Sequence, residues 1–238
     1  RGTESDLPDR VRAAAQPAVL LHGPAASGKT SAALALYRQY LDAAGRPRCL
    51  LLVPGAPAAD AARRRLLAES PVGVLVSPGV LTFAALGRRI LAAAGDAGAL
   101  LGPFRRRLLL RRIARDVVGR RRGSALERVA DAPGLPGALD RAIAELKRAA
   151  VEPEQLAEAV ADGPAKARDL QAVYAAYQAH LRSRGLYDVE GRMWRARECL
   201  RATPAGAAPP GLAGVAALAV DGFTDFTPTQ LAILALLA

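Results

Sequence analysis

Gly23-Pro24-Ala25-Ala26-Ser27-Gly28-Lys29-Thr30 fits the pattern G-x-x-x-x-G-K-[ST] at every fixed position. It lies between an apolar run, Ala18-Val19-Leu20-Leu21, predicted to be a strand, and a helix predicted to begin near Gly28. That strand-to-helix setting is the one a phosphate-binding loop requires. Gly23 and Gly28 permit positive backbone dihedrals, so consecutive N–H groups turn inward around an anion, backed by the positive dipole end of the helix. A triphosphate is the natural guest. Gly23, Ala25, Ala26, Ser27, Gly28, Lys29, Thr30 and Ser31 form the candidate nucleotide-binding set. Lys29 would reach the terminal phosphates as a point charge, and the Thr30 hydroxyl would be a hard oxygen ligand for Mg²⁺. The lysine stands out, because Lys and Arg together number 33 and only positions 29, 147 and 166 are Lys.

Beyond the loop, the 238 residues are 51% hydrophobic and only 4% aromatic, which argues against disorder and favours helices over a β-sandwich. A formal charge of +11 points to a polyanionic partner, with nucleic acid ahead of a membrane surface. No apolar run approaches the ~18 residues of a membrane span and no signal peptide is visible, so a soluble, cytoplasmic protein is expected. Cys49 and Cys199 lie far apart without a C-x-x-C pattern, which predicts reduced thiols and no metal cluster. The first residue is not Met and the last nine, 230–238, are still in an apolar helical pattern, so the chain reads as the N-terminal part of a longer protein.

Strands and helices alternate over residues 1–94. The helix predicted at 28–44 ends at Gly45, and the apolar run 48–53 reads as a parallel strand buried on both faces. A helix with Arg63, Arg64 and Arg65 follows, then strand material at 72–76 and 80–83 and a helix through Leu91. Alternation of this kind predicts an α/β fold, a mostly parallel sheet flanked by helices. From 95 to 204 only helical periodicity is visible, at 104–118, 135–149, 165–184 and 189–200, which predicts an inserted all-helical subdomain. Residues 205–238 return to the sheet through a strand at 215–220 and a closing helix.

That returning strand ends in Asp221, where a phosphate-loop protein places the carboxylate that holds Mg²⁺ through its water shell. Lys29 and Asp221 are therefore the candidate catalytic pair, with Thr30 and Asp221 the candidate metal ligands. Hydrolysis also needs a group that orients the attacking water, and the residue after Asp221 is Gly222, without a side chain. Binding of ATP is the safer expectation and turnover is expected to be weak.

The order of these pieces resembles the N-terminal motor-like region of UvrD/Rep-like superfamily 1 helicases, and more closely the AddB-type subunits of bacterial helicase-nucleases. The likeness is carried by 23–30, by Val80-Leu81-Thr82-Phe83 with its following helix, and by Val220-Asp221-Gly222-Phe223-Thr224-Asp225-Phe226-Thr227-Pro228, which is similar to the D-G-F-x-x-F-T-P form of AddB-type proteins. Val173-Tyr174-Ala175-Ala176-Tyr177 and Tyr187-Asp188 resemble the end of the inserted subdomain. Ala84 and Gly222 replace the His and Glu of active helicases. The resemblance implies a RecA-like domain, DNA end processing in double-strand break repair, a helicase partner subunit, and a nuclease domain of the PD-(D/E)XK type beyond residue 238. It also implies DNA contacts at Thr82 and Phe83, and draws attention to the basic stretch holding Arg105, Arg106 and Arg111, where phosphate contacts without base readout are expected. Two other readings of the loop remain: a kinase of a small molecule or nucleoside, and a scaffold that binds nucleotide without cleaving it.

Overall fold

The computed structural model describes residues 18–24, 26–41, 48–70, 79–121, 123–204 and 206–238. The chain is mixed α/β and mostly helical, with two small parallel sheets among the described residues. Its elements are α1 (Lys29–Gln39), β1 (Cys49–Leu52), α2 (Ala56–Ala68), β2 (Val80–Leu81), α3 (Phe83–Ala93), β3 (Ala99–Leu100) and α4 (Pro103–Arg120). Then come α5 (Leu135–Arg148), α6 (Pro153–Ala159), α7 (Ala165–Arg184), β4 (Leu186–Tyr187), α8 (Val189–Arg201), β5 (Ala217–Val220) and α9 (Pro228–Leu237). They divide into two compact units, one of residues 1–94, 199–226 and 233–238, the other of 95–198 and 227–232.

The first unit is built on a parallel sheet in the order β2-β1-β5, with Leu51 opposite Val80 and Leu52 opposite Val220. All four residues of β1 are buried, as a continuous apolar strand between two others should be. Leu34 and Tyr37 of α1, and Ala59 and Leu66 of α2, pack on it. Burial pushes the Cys49 thiol up to about 11, so it stays protonated and unreactive at neutral pH. Residues 18–21, predicted as a strand, are not in one: Leu20 is 89% exposed and Val19 43%. A four-residue apolar run contains no information about its partner, and a strand exists only through a neighbour's ladder. The strand predicted at 72–76 and the end of the first helix at 42–47 lie outside the described residues, and α1 itself closes at Gln39.

The second unit packs α4, α5 and α7 around Leu110, Ile113, Ala114, Leu139, Ile143, Val173 and Leu181. Helices fall where periodicity predicts them, but the stretch is not free of strands. β3 and β4 pair in parallel, Ala99 opposite Leu186 and Leu100 opposite Tyr187. Two-residue strands are too short to show alternation, so only pairing reveals them. Gly98 is there for space: a Cβ would lie 2.0 Å from the Tyr187 ring. The predicted helices also omit α6, although Glu152-Pro153-Glu154-Gln155 is a readable start, with the Glu152 N–H donating to Gln155 Oε1 at 2.8 Å.

At the heart of this unit sits an ion pair. Lys147 is fully buried and donates to Asp188 Oδ1 at 2.7 Å and Oδ2 at 2.9 Å. Asp188 also accepts the Tyr177 hydroxyl at 3.0 Å and the Gly191 N–H at 2.6 Å. The ammonium lies 5.3 Å from the centre of the Trp194 ring, whose indole N–H donates to the Lys147 carbonyl at 3.0 Å. A Cβ at position 191 would meet Asp188 Oδ1 at 2.7 Å, which is why glycine occupies that turn of α8.

Candidate nucleotide site

The loop turns into α1 through two residues with left-handed backbone, Ala26 at φ 59° and Gly28 at φ 82°. Gly28 meets the expectation of positive φ; Gly23 does not adopt it. A Cβ there would sit 2.7 Å from Ser27 Oγ, so a larger residue would turn the Ser27 hydroxyl out of its present place. Ala26 carries a Cβ in a conformation that costs about 1 kcal/mol or more, a strain of the kind concentrated at functional loops. Ala25 lies outside the described residues. Lys29 opens α1 and its ammonium folds back, donating to the carbonyls of Gly23 at 2.8 Å and Pro24 at 2.5 Å and to Ser27 Oγ at 3.3 Å. Ser31, two residues further into α1, accepts from Arg65 of α2 at 3.3 Å.

Asp221 follows β5 directly, and its N–H donates to the Leu52 carbonyl of β1 at 3.0 Å, extending the ladder by one residue. This holds the carboxylate against the start of α1. Thr30 Oγ1 lies 3.0 Å from both Asp221 oxygens, joining residues 191 positions apart. A hydroxyl and a carboxylate side by side are the hard oxygen donors that Mg²⁺ takes in small number, leaving its other positions to water and phosphate. Among the described residues no group of three or more His, Cys, Asp or Glu could hold a metal by protein ligands alone.

Gly222 has φ +80°, and a Cβ there would contact the Pro54 ring at 3.4 Å. Position 222 is thus a glycine for a conformational reason. Gly222→Glu is expected to lower stability by about 1–2 kcal/mol, read as a fall in melting temperature, and to add no ATP turnover. A rise in turnover would show that the missing carboxylate alone limits hydrolysis. Asp225 is exposed and accepts from the Thr224 hydroxyl at 3.2 Å.

The residues predicted to touch DNA occupy different settings. Thr82 caps α3 by accepting the Ala85 N–H at 3.3 Å, and Phe83 is 5% exposed. Over Phe83 lie Phe223 and Phe226, with ring centres 5.5 and 6.3 Å away, and these two stack on each other at 4.9 Å. Both are half-buried just beyond Asp221. The sequence reading does not single them out as ring surfaces, although the D-G-F-x-x-F spacing contains both. Arg106 is mostly covered and donates to Asp140 at 3.0 Å, whereas Arg105 and Arg111 are exposed. Of the other large aromatic side chains, Trp194 is buried and Phe104 is 74% exposed. No helix among the described residues is long and apolar enough to cross a membrane.

Parallel strands wrapped by helices, with a Gly-rich turn entering α1 beside a strand-end Asp, define a mixed α/β protein of mostly helical content. Residues 20–238 match the family described as ADDB, N-terminal, and the chain belongs to that family. The family points to a helicase-nuclease subunit in DNA repair. No curated protein matches the sequence.

Proposed function

We propose that this chain is the nucleotide-binding, motor-like module of an AddB-type subunit, RecA-like in its first unit, acting with a helicase partner in DNA end processing and double-strand break repair. The observation that carries the reading is the meeting of Thr30 with Asp221 at 3.0 Å across 191 residues, next to a Gly-Lys-Thr helix start. ATP would lie with its phosphates on the backbone of 23–28 and on Lys29. Mg²⁺ would be held by Thr30, with Asp221 gripping its water shell. This equips the site to bind; Gly222 supports a site that cleaves slowly or serves as a nucleotide-filled scaffold. The long helical stretch between loop and Asp221 disfavours a small-molecule kinase. DNA would meet exposed arginines such as Arg105 and Arg111, and the stacked Phe223 and Phe226 offer ring surface for an unpaired base. A nuclease domain of the PD-(D/E)XK type and a cytoplasmic setting complete the proposal.

Calorimetric titration of ATP with and without Mg²⁺ tests it. Mg²⁺ is expected to tighten binding by about tenfold, and Asp221→Asn to abolish most of that gain. A variant that keeps the full Mg²⁺ effect would remove Asp221 from the site.

A further inference from the structure

We infer that the outer face of α4 is a track for an unpaired nucleic-acid strand, on which Phe104 stacks a base and Leu108 packs against the next. The inference rests on the reading of the chain as a DNA-associated module and deepens it by naming the strand type and the surface.

The side chains of α4 are placed by its turn of about 100° per residue. Leu110, Ile113, Ala114 and Val117 face the core of their unit. On the opposite side Phe104 and Leu108 stand one turn apart, 74% and 51% exposed. The same geometry sets Arg107 and Arg111 along one flank of this pair and Arg105 and Arg112 along the other, all four exposed. Arg112 has a loose partner in Asp116 at 4.0 Å; Arg105, Arg107 and Arg111 have no carboxylate within salt-bridge distance among the described residues. Two other arginines of the helix are satisfied, Arg106 by Asp140 and Arg115 by Asp131.

A single exposed apolar side chain needs no explanation. An exposed Phe one turn from an exposed Leu, between two rows of largely uncompensated guanidinium groups, has a specific complement. Phosphates answer the arginines and flat base faces answer the ring, and one ligand offers both together. Duplex DNA hides its base faces, so it satisfies only the charge. An acidic protein surface would answer the arginines without giving the ring a stacking face.

The test is binding of an oligo-dT strand and of a duplex to the full-length protein across a salt series. Phe104→Ala is expected to weaken oligo-dT binding about 5- to 100-fold at every salt concentration and to leave duplex binding unchanged. Arg107→Gln with Arg111→Gln is expected to flatten the salt slope by about 1.4, about 0.7 for each lost phosphate contact. Phe104→Trp should keep the affinity, and its introduced indole should be quenched on binding. Unchanged oligo-dT affinity in Phe104→Ala, or an unquenched indole, overturns the inference. If the arginine pair matters and Phe104 does not, α4 touches backbone only, so DNA association stands and the stacking track falls. Wild-type protein that binds neither strand form overturns both.

Discussion

Lys29→Ala is expected to weaken ATP binding by about 10- to 100-fold while leaving the melting temperature nearly unchanged. A charged hydrogen bond to a ligand contributes about 1.5–3 kcal/mol, which is one to two powers of ten in affinity. The ammonium now rests on the Gly23 and Pro24 carbonyls and Ser27 Oγ, so a phosphate would take over an amine already held inside the loop. Two of these three contacts are exposed, so their loss costs the fold little. Lys29→Arg should fail as well, because a planar guanidinium cannot fold into the same small ring of acceptors. Calorimetry with a slowly hydrolysed ATP analogue reads the effect. Equal affinities for wild type and Lys29→Ala would mean that 23–30 is only a turn.

Asp188→Asn should destabilise the helical unit by about 3–5 kcal/mol, because it leaves Lys147 buried and charged without its counter-ion. Lys147 is fully buried, and its only charged hydrogen-bond partner among the described residues is Asp188. Burial holds the ammonium below the ordinary lysine value, against the upward pull of Asp188. The sign of the pH effect follows. A lysine with a depressed folded value binds fewer protons folded than unfolded, so stability rises with pH between the folded and unfolded values. Removing the Asp188 charge lowers the folded value further and widens that window downward. The defect in Asp188→Asn should therefore be largest at neutral and acidic pH and shrink as pH climbs toward the lysine range. Removing both charges with Lys147→Met and Asp188→Asn should recover part of the loss. Recovery stays incomplete, since the Tyr177 hydroxyl and the Gly191 N–H also depend on the carboxylate. Denaturant melts at several pH values measure all of this. A pH-independent defect would mean that packing, not charge, is what Asp188 supplies.

The same pair marks a limit of what a sequence records. In the sequence Lys147 stands out only as one of three lysines, and Tyr187-Asp188 only as a likeness to a subdomain end. Nothing in spacing reveals that residues 41 positions apart meet in a core. Phe104 and Phe83 make the point in the opposite direction. Both are aromatic residues in the first turn of a helix, yet one is 74% exposed and the other 5%. Phe83 is covered because Phe223 and Phe226 arrive from far along the chain.

Read alone, the chain specifies the loop with its Gly-Lys-Thr, the Asp that closes an apolar strand, the positions of the long helices and the resemblance to AddB-type subunits. These are local matters, set by dihedral preferences, apolar periodicity and capping within a few residues. Tertiary contacts are what bring Thr30 to Asp221, demand a glycine at position 222 through a left-handed turn against Pro54, and pair β3 with β4. Each of these depends on contacts between distant parts of the chain, where the free energy belongs to the pair and neither partner's own neighbourhood records it.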